Sequence, residues 1–330
     1  MTKSSIFQQY QLLSGKRVAV IGSSGYIGSH LVDSLLHLKC HVLAISRGLS
    51  GLLLSSSLQD PLLATLNLNI NDYSRLNNAL VGIDIVIHLA SSSLPQTSND
   101  NPISDVNSNL IGSLNILKSC VNNKIRRIIF ISSGGTVYGR PEFVPITEAH
   151  PTNPICSYGI VKLAIEKYIL LYRDLYNLDG IILRLANPYG GRQRLNSIQG
   201  VVPIFLNRAL NSLPLNILGD GSIVRDFVYI TDVVEAILSS CIYSGSDHLF
   251  NIGSGTGTSL HDLVGLIQDL IDTELVISYK PSRSFDVPTN VLSINKAVQE
   301  LCWKPSINPK LGLQKYYDAL MASYRFNSGM

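Results

Sequence analysis

The sequence predicts an α/β fold, a doubly wound parallel sheet with a smaller C-terminal α/β part. Two observations lead there. Short β-branched apolar runs alternate with segments of helical periodicity over residues 16–185, as strands buried on both faces by helices require. The connections between them are short, and the first is rich in glycine. With 330 residues, 45% hydrophobic and 15% charged, the chain can bury a large core and fits one large or two modest domains.

Residues 16–21 (KRVAVI) read as the first strand. Gly22-Ser23-Ser24-Gly25-Tyr26-Ile27-Gly28 follows, then helical periodicity through Leu31, Leu35 and Leu38. Strand, glycine turn and helix make a dinucleotide site, because glycines admit a pyrophosphate close to the backbone and the helix N-terminus offers free N–H groups. The next strand, residues 41–45, ends at Ser46-Arg47, where an acid would contact the ribose of NAD. Arg47 either faces the 2′-phosphate of NADP or is a solvated loop residue. Residues 66–70 alternate as a short strand, and residues 83–89 (IDIVIHL) form a buried one that ends in Ala90-Ser91-Ser92-Ser93. Small residues there suit the floor of a ligand crevice, and His88 reads as a core histidine.

Residues 106–121 are helical in pattern, and residues 127–131 (RIIFI) are the next strand, running into Ser132-Ser133-Gly134-Gly135-Thr136-Val137-Tyr138-Gly139. A Pro-rich loop, residues 141–154, leads to Ser157-Tyr158-Gly159-Ile160-Val161-Lys162, which opens an amphipathic helix. Tyr158 and Lys162, four apart, share one helix face. A free phenol titrates near ~10, so Tyr158 can act as a base at neutral pH only if a cation such as Lys162 favours its phenolate. Alone, such a pair is usually a solvated helix face. A further strand, residues 180–185, leads into residues 184–190 (RLANPYG). Beyond Gly190 the alternation loosens into short strand fragments and helices, which suits a substrate-binding part.

Composition excludes several classes of partner. A formal charge of +3 without a basic block gives no nucleic-acid footprint, and no run of about 18 apolar residues can span a membrane. Residues 1–13 lack the apolar stretch of a signal peptide, so the cytoplasm is the expected location. The five cysteines are scattered, with no Cys-x-x-Cys spacing, and read as reduced fillers. The histidines show no ligand spacing, so no metal site is expected.

Taken together, these motifs resemble the extended short-chain dehydrogenase/reductase family in its nucleotide-sugar epimerase/dehydratase branch, in particular the UDP-glucose 4-epimerases. The resemblance runs in order over nearly the whole chain: Gly22, Gly25 and Gly28, then His88-Leu89-Ala90, Ser132-Ser133 before Val137-Tyr138-Gly139, Tyr158-x-x-x-Lys162, residues 184–190, Arg225-Asp226 and Arg283-x-x-Asp286. It implies a Rossmann domain over residues 14–185 with a return near 226–253. Residues 186–225 and 254–330 would bind the nucleotide sugar. It implies NAD as cofactor, with NADP as the alternative that Arg47 favours.

The resemblance makes Tyr158 the acid/base, with Lys162 holding the nicotinamide ribose and lowering the Tyr158 pKa. It sets Gly22, Ser24, Gly25, Tyr26, Ile27 and Gly28 against the cofactor, with Arg47, Asn69, Ile70, Leu89, Ala90, Ser91 and Pro188 further along it. Ser92, Ser133, Asn187, Gly200 and Val201 fall to the substrate, Arg225 and Arg283 to its pyrophosphate, and Asp286 to its ribose. An arginine fork matches phosphate oxygens, which agrees.

Three positions depart from the family pattern. The usual catalytic Ser or Thr is replaced by Gly134, so the hydroxyl has to come from Ser133, which is preferred, from Thr136 or from water. Asn69, like Arg47, stands where the family often carries an acid. The expected activity is 4-epimerisation of a UDP-hexose through a 4-keto sugar. The alternatives are reduction of a 4-keto-6-deoxy nucleotide sugar and a non-catalytic dinucleotide-binding role. Dehydration is disfavoured because Gly134-Gly135-Thr136 lacks the acids of that branch. The resemblance also implies a homodimer through the helices at 106–121 and 158–176.

Overall fold

A computed structural model describes residues 9–48, 55–193, 200–271, 274–282 and 287–328. The chain begins with β1 (Arg17–Ile21), α1 (Tyr26–His37), β2 (His41–Ser46), β3 (Leu63–Asn67), α2 (Tyr73–Ala79) and β4 (Ile85–His88). Then come α3 (Pro102–Asp105), a π-helical turn (Val106–Ile111), α4 (Gly112–Asn122), β5 (Arg127–Ser133), α5 (Ser157–Tyr176) and β6 (Asp179–Leu185). The next stretch holds β7 (Asn187–Tyr189), α6 (Val201–Leu210), β8 (Leu215–Leu218), β9 (Val224–Arg225), β10 (Phe227–Tyr229), α7 (Ile230–Ile242) and β11 (Leu249–Ile252). Last are β12 (Thr258–Ser259), α8 (Leu260–Gln268), β13 (Ile277–Lys280), β14 (Thr289–Asn290), α9 (Asn295–Glu300) and α10 (Pro309–Ser328).

Seven parallel strands form the main sheet in the order β11-β6-β5-β4-β1-β2-β3. Alternate side chains along each strand enter opposite cores. Val18, Val20, Ile129 and Ile131 pack on one face with α1 and α7, while Ala19, Ile21, Ile128 and Phe130 pack on the other with α4 and α5. The helices answer in their own period. Val161, Ile165 and Ile169 of α5, four apart, lie along one buried stripe. Each such side chain contributes about 1.5–3 kcal/mol by leaving water, which is why these strands are apolar on both faces.

The register aligns the strand ends. Ile21 pairs with both Ile45 and His88, and His88 pairs with Phe130, so the loops after β1, β4 and β5 open along one edge of the sheet. That edge is the carboxyl edge, where doubly wound sheets bind ligands.

Two expectations shift. The strand read at residues 66–70 lies at Leu63–Asn67, paired with β2. It is an edge strand with mostly exposed side chains, so its alternation is weak, and Leu68 and Ile70 join the core after the ladder has ended. The helix read over 106–121 is interrupted at its start by the π turn, whose wider winding carries Asp105 and Asn109 inward; both are buried. The C-terminal part does form sheet, in three small pieces: β7 with β10, β8 with β13, and β9 with β12 and β14. No helix among the described residues is long and apolar enough to cross a membrane, and no group of ligating side chains among them could hold a metal.

Candidate active site

A cleft of about 780 Å³ opens at the carboxyl edge of the sheet. Its floor begins at the glycine turn. Gly22 has φ +96°, and a Cβ there would lie 2.7 Å from the backbone nitrogen of Ala90, so the turn sits directly on the end of β4. A Cβ on Gly28 would lie 2.3 Å from the carbonyl oxygen of Gly22, so the first turn of α1 packs against the loop with no room for a side chain. Gly25 caps α1 without any side-chain bond to its first N–H groups, and the Ser23 hydroxyl is buried without a partner. A backbone-only cradle at a helix N-terminus fits the pyrophosphate of a dinucleotide.

Tyr158 and Lys162 project from the first two turns of α5 into the same cleft. The Lys162 ammonium donates to the carbonyl oxygen of Ile131 at 2.8 Å and lies 5.6 Å from the centre of the Tyr158 ring. Burial holds the Lys162 pKa down to about 8, while the carboxylates of Glu166 and Asp105 work against that fall. The Tyr158 phenol is raised well above its ordinary value. Burial is the main cause, Cys156 and Asp105 add to it, and a hydrogen bond from Ser91 opposes it. The sequence reading had Lys162 lowering this phenol. Burial raises it.

Ser133 and Thr136 both line the cleft, and the Thr136 hydroxyl is buried without a partner. Gly134 has a tertiary reason. A Cβ there would lie 2.6 Å from Cδ1 of Leu292, which is fully buried, so a leucine from the C-terminal part takes the space in which a side chain would stand. Behind Lys162, Glu166 accepts from Arg184 at 2.6 Å and from the Ser132 hydroxyl at 2.5 Å, and Arg184 lies 4.7 Å from the centre of the Tyr138 ring. His88 is a core residue, bonded to Ser113 at 2.8 Å and held neutral by burial with its pKa near about 3.

The structure brings sixteen of the expected site residues to the cleft: Gly22, Gly25, Tyr26, Ile27, Gly28, Leu89, Ser91, Ser133, Thr136, Tyr158, Lys162, Asn187, Pro188, Gly200, Val201 and Arg225. The Asn187 side-chain amide donates to the carbonyl of Asp226, and Arg225 donates to the carbonyls of Val224 and Val287. Six others stand apart from its lining. Ser24 lies within the turn and Ala90 packs against Gly22, Arg47 is exposed beyond β2, and Asn69 accepts from the backbone of Asn71. Ile70 crowds Gly112 of α4, and the Ser92 hydroxyl donates to Asn109. Arg283 and Asp286 lie outside the described residues.

Sequence reasoning missed Asp226, whose buried carboxylate accepts from Ser254, Gly255 and Leu292 and so pins the walls of the substrate part together. Its place beside Arg225 was the only local signal. Also missed were Asn99 and Ser98, which accept from the backbone N–H groups of Ser157 and Tyr158 at 2.8 and 3.1 Å. They cap α5 in place of Cys156, which makes no side-chain cap.

Fold and cleft together define a dinucleotide-binding α/β protein with a tyrosine–lysine pair at the strand ends. Comparison with known proteins narrows this. Residues 18–253 match the model of the NAD dependent epimerase/dehydratase family. The chain is 35% identical over 301 residues to a putative UDP-glucose 4-epimerase of Methanocaldococcus jannaschii, covering 90% of this chain and 96% of the relative. It is 36% identical over 233 residues to the dTDP-4-dehydro-6-deoxyglucose reductase of Escherichia coli, covering 71% and 73%. The crystal structure of UDP-glucose 4-epimerase from Thermotoga maritima with UDP-glucose superposes with a TM-score of 0.87 at 34% identity, covering 93% of this chain and 99% of that one. The chain belongs to the NAD dependent epimerase/dehydratase family, and NAD is the cofactor of that family.

Proposed function

We propose that this protein is a nucleotide-sugar 4-epimerase of the UDP-hexose type. The observation that carries the reading is the chemistry of the cleft. Among its described lining residues the proton-transfer groups are Tyr158, Lys162, the Cys156 thiol and hydroxyls, with no Asp, Glu or His. Such a site can move a proton on and off a carbinol oxygen but lacks the acid and base for eliminating water. Likeness to the 4-epimerases of M. jannaschii and T. maritima supports it.

Gly22, Gly25 and Gly28 would hold the cofactor pyrophosphate and Lys162 the nicotinamide ribose. NAD, when bound, supplies a hydride acceptor that becomes the donor for the return step. Tyr158, as the phenolate, takes the proton of the sugar 4-hydroxyl as the 4-keto sugar forms and gives it back after the keto sugar has presented its other face. Ser133 or Thr136 donates a hydrogen bond to the same oxygen as charge develops there. Arg225 and Asn187 face the nucleotide's phosphates, with Gly200 and Val201 by its ribose and base. Residues 14–185 and 226–253 would thus serve the cofactor, and 186–225 with 254–330 the sugar nucleotide.

The test is to denature purified protein, identify any released dinucleotide, and assay UDP-sugars without added cofactor. Released NAD with interconversion of a C4 pair is the expected result. Replacing Tyr158 by Phe is expected to lower turnover at least a thousandfold, of the order general acid–base loss brings (~10²–10⁴), with the dinucleotide still bound. Retained turnover removes Tyr158 as the proton carrier. A second reading, reduction of a 4-keto-6-deoxy nucleotide sugar, is favoured by the E. coli relative and by Arg47 at the end of β2. An empty protein that prefers NADPH and turns over no UDP-sugar would select it.

A homodimer belongs to the same proposal. Ile160, Leu171 and Leu175 on α5 and Ile103 on α3 are exposed large apolar side chains beside the first helices of the site. A second copy seated on this stripe would cover them. A monomer in sedimentation at micromolar protein would overturn that part.

A further inference from the structure

We propose that Asp105 is a positioning residue for the reaction: its buried carboxylate joins the loop that walls the cleft to the first turn of the Tyr158 helix, and its charge, held by neutral donors, acts on the reacting phenol. The inference rests on the reading of Tyr158 as proton carrier.

Asp105 is 3% exposed at the junction of α3 with the π turn. One carboxylate oxygen accepts from the Ser93 hydroxyl and from the Asn109 amide, both at 2.7 Å, and the other accepts from the Ser157 hydroxyl at 2.8 Å. Ser93 belongs to the loop at 91–99, which gives the cleft Ser91, Leu94, Pro95, Gln96 and Asn99. Ser157 is the residue before Tyr158. Asn109, turned inward by the π winding, also accepts from the backbone N–H of Ser92 at 2.9 Å. The same loop returns through Ser98 and Asn99 to cap α5. Loop, π turn and helix start are therefore one hydrogen-bonded unit with Asp105 at its centre.

All three donors to Asp105 are neutral, and no ion pair to it occurs among the described residues. A buried anion with no cation in direct contact is costly, so stability alone would not select a carboxylate here. The charge is felt at the site instead. Asp105 raises the affinity of both Tyr158 and Lys162 for their protons. The other groups facing Tyr158 are Cys156, Ser91 and Lys162; Lys162 in turn faces Glu166 and the neutral His88. Asp105 is thus the carboxylate that acts on the phenol, opposing any cation brought against it.

The experiment compares wild type, Asp105→Asn and Asp105→Glu as dinucleotide-loaded protein. Tyr158 ionisation is followed by tyrosinate absorbance against Tyr158→Phe, and kcat/KM for UDP-sugar interconversion is followed across pH. In Asp105→Asn both midpoints are expected to fall by about one unit, and Asp105→Glu restores them. Unchanged midpoints in folded, loaded Asp105→Asn overturn the proposal. Because the absorbance titration needs no turnover, a protein that epimerises nothing refutes the function reading while the phenol still judges Asp105. Should Asp105→Asn fail to fold, Ser157→Ala and Ser93→Ala keep the charge and remove one tie each. A fall in kcat of about fivefold for each, at an unmoved pH midpoint, supports the positioning role, and wild-type kcat in both overturns it.

Discussion

Two buried carboxylates flank Lys162, and they are satisfied in opposite ways. Glu166, 2% exposed, meets the Arg184 guanidinium through three bonds of 2.6–3.2 Å, with Ser132 completing its shell. Its charge still favours the ammonium of Lys162, and its pair with Arg184 ties α5 to β6. Asp105 meets only hydroxyls and an amide, and its charge reaches Tyr158. Equal burial therefore does not mean equal function. The paired carboxylate fixes architecture, here the stacking of β5, β6 and α5, and acts on Lys162, whereas the carboxylate held by neutral donors acts on both Lys162 and Tyr158.

The contrast can be broken most severely at the ion pair. Arg184→Met leaves Glu166 buried and uncompensated and is expected to cost about 3–5 kcal/mol in denaturant unfolding. A cost under about 1 kcal/mol would mean that Glu166 finds other partners. The cation between the two carboxylates gives the next effect. Lys162 is protonated near 10.5 when unfolded and near about 8 when folded, so its buried ammonium destabilises the fold below pH 8. That penalty fades as pH rises from 8 to 10.5, because the folded protein is then deprotonated and the unfolded chain follows. Lys162→Met should accordingly unfold at higher denaturant below pH 8, by about 2–3 kcal/mol, converge on wild type at alkaline pH, and lose turnover. The smallest stability change belongs to Asp105→Asn, about 1 kcal/mol, since the amide keeps one acceptor oxygen and turns an N–H toward the hydroxyl that the other oxygen accepts from. A loss as large as that of Arg184→Met would erase the distinction drawn between the two carboxylates.

The glycine turn, the apolar strands and the Tyr158–Lys162 pair were legible in the sequence because each is local: a strand, the turn after it and one helix face are set by neighbours in the chain. Asn187 and Arg225 were placed through family resemblance rather than periodicity. What remained hidden depends on contacts between distant segments. Nothing near Asp105 announces Ser157, 52 residues on, and nothing near Asn99 announces that it caps a helix 58 residues away. The π turn was read as ordinary helix because its apolar spacing runs on past the interruption. Edge strand β3 was misplaced because exposed edges carry a faint alternation.

Gly134 and Leu292 have a consequence for how this sequence can change. Restoring the hydroxyl usual in the family by Gly134→Ser would drive a side chain into Leu292, while trimming Leu292 first would open a void in a packed wall. Each step is harmful alone and acceptable only in the other's company. The two positions, 158 residues apart in the chain, form an epistatic pair, and a serine at 134 is expected to need a smaller side chain at 292 in the same protein.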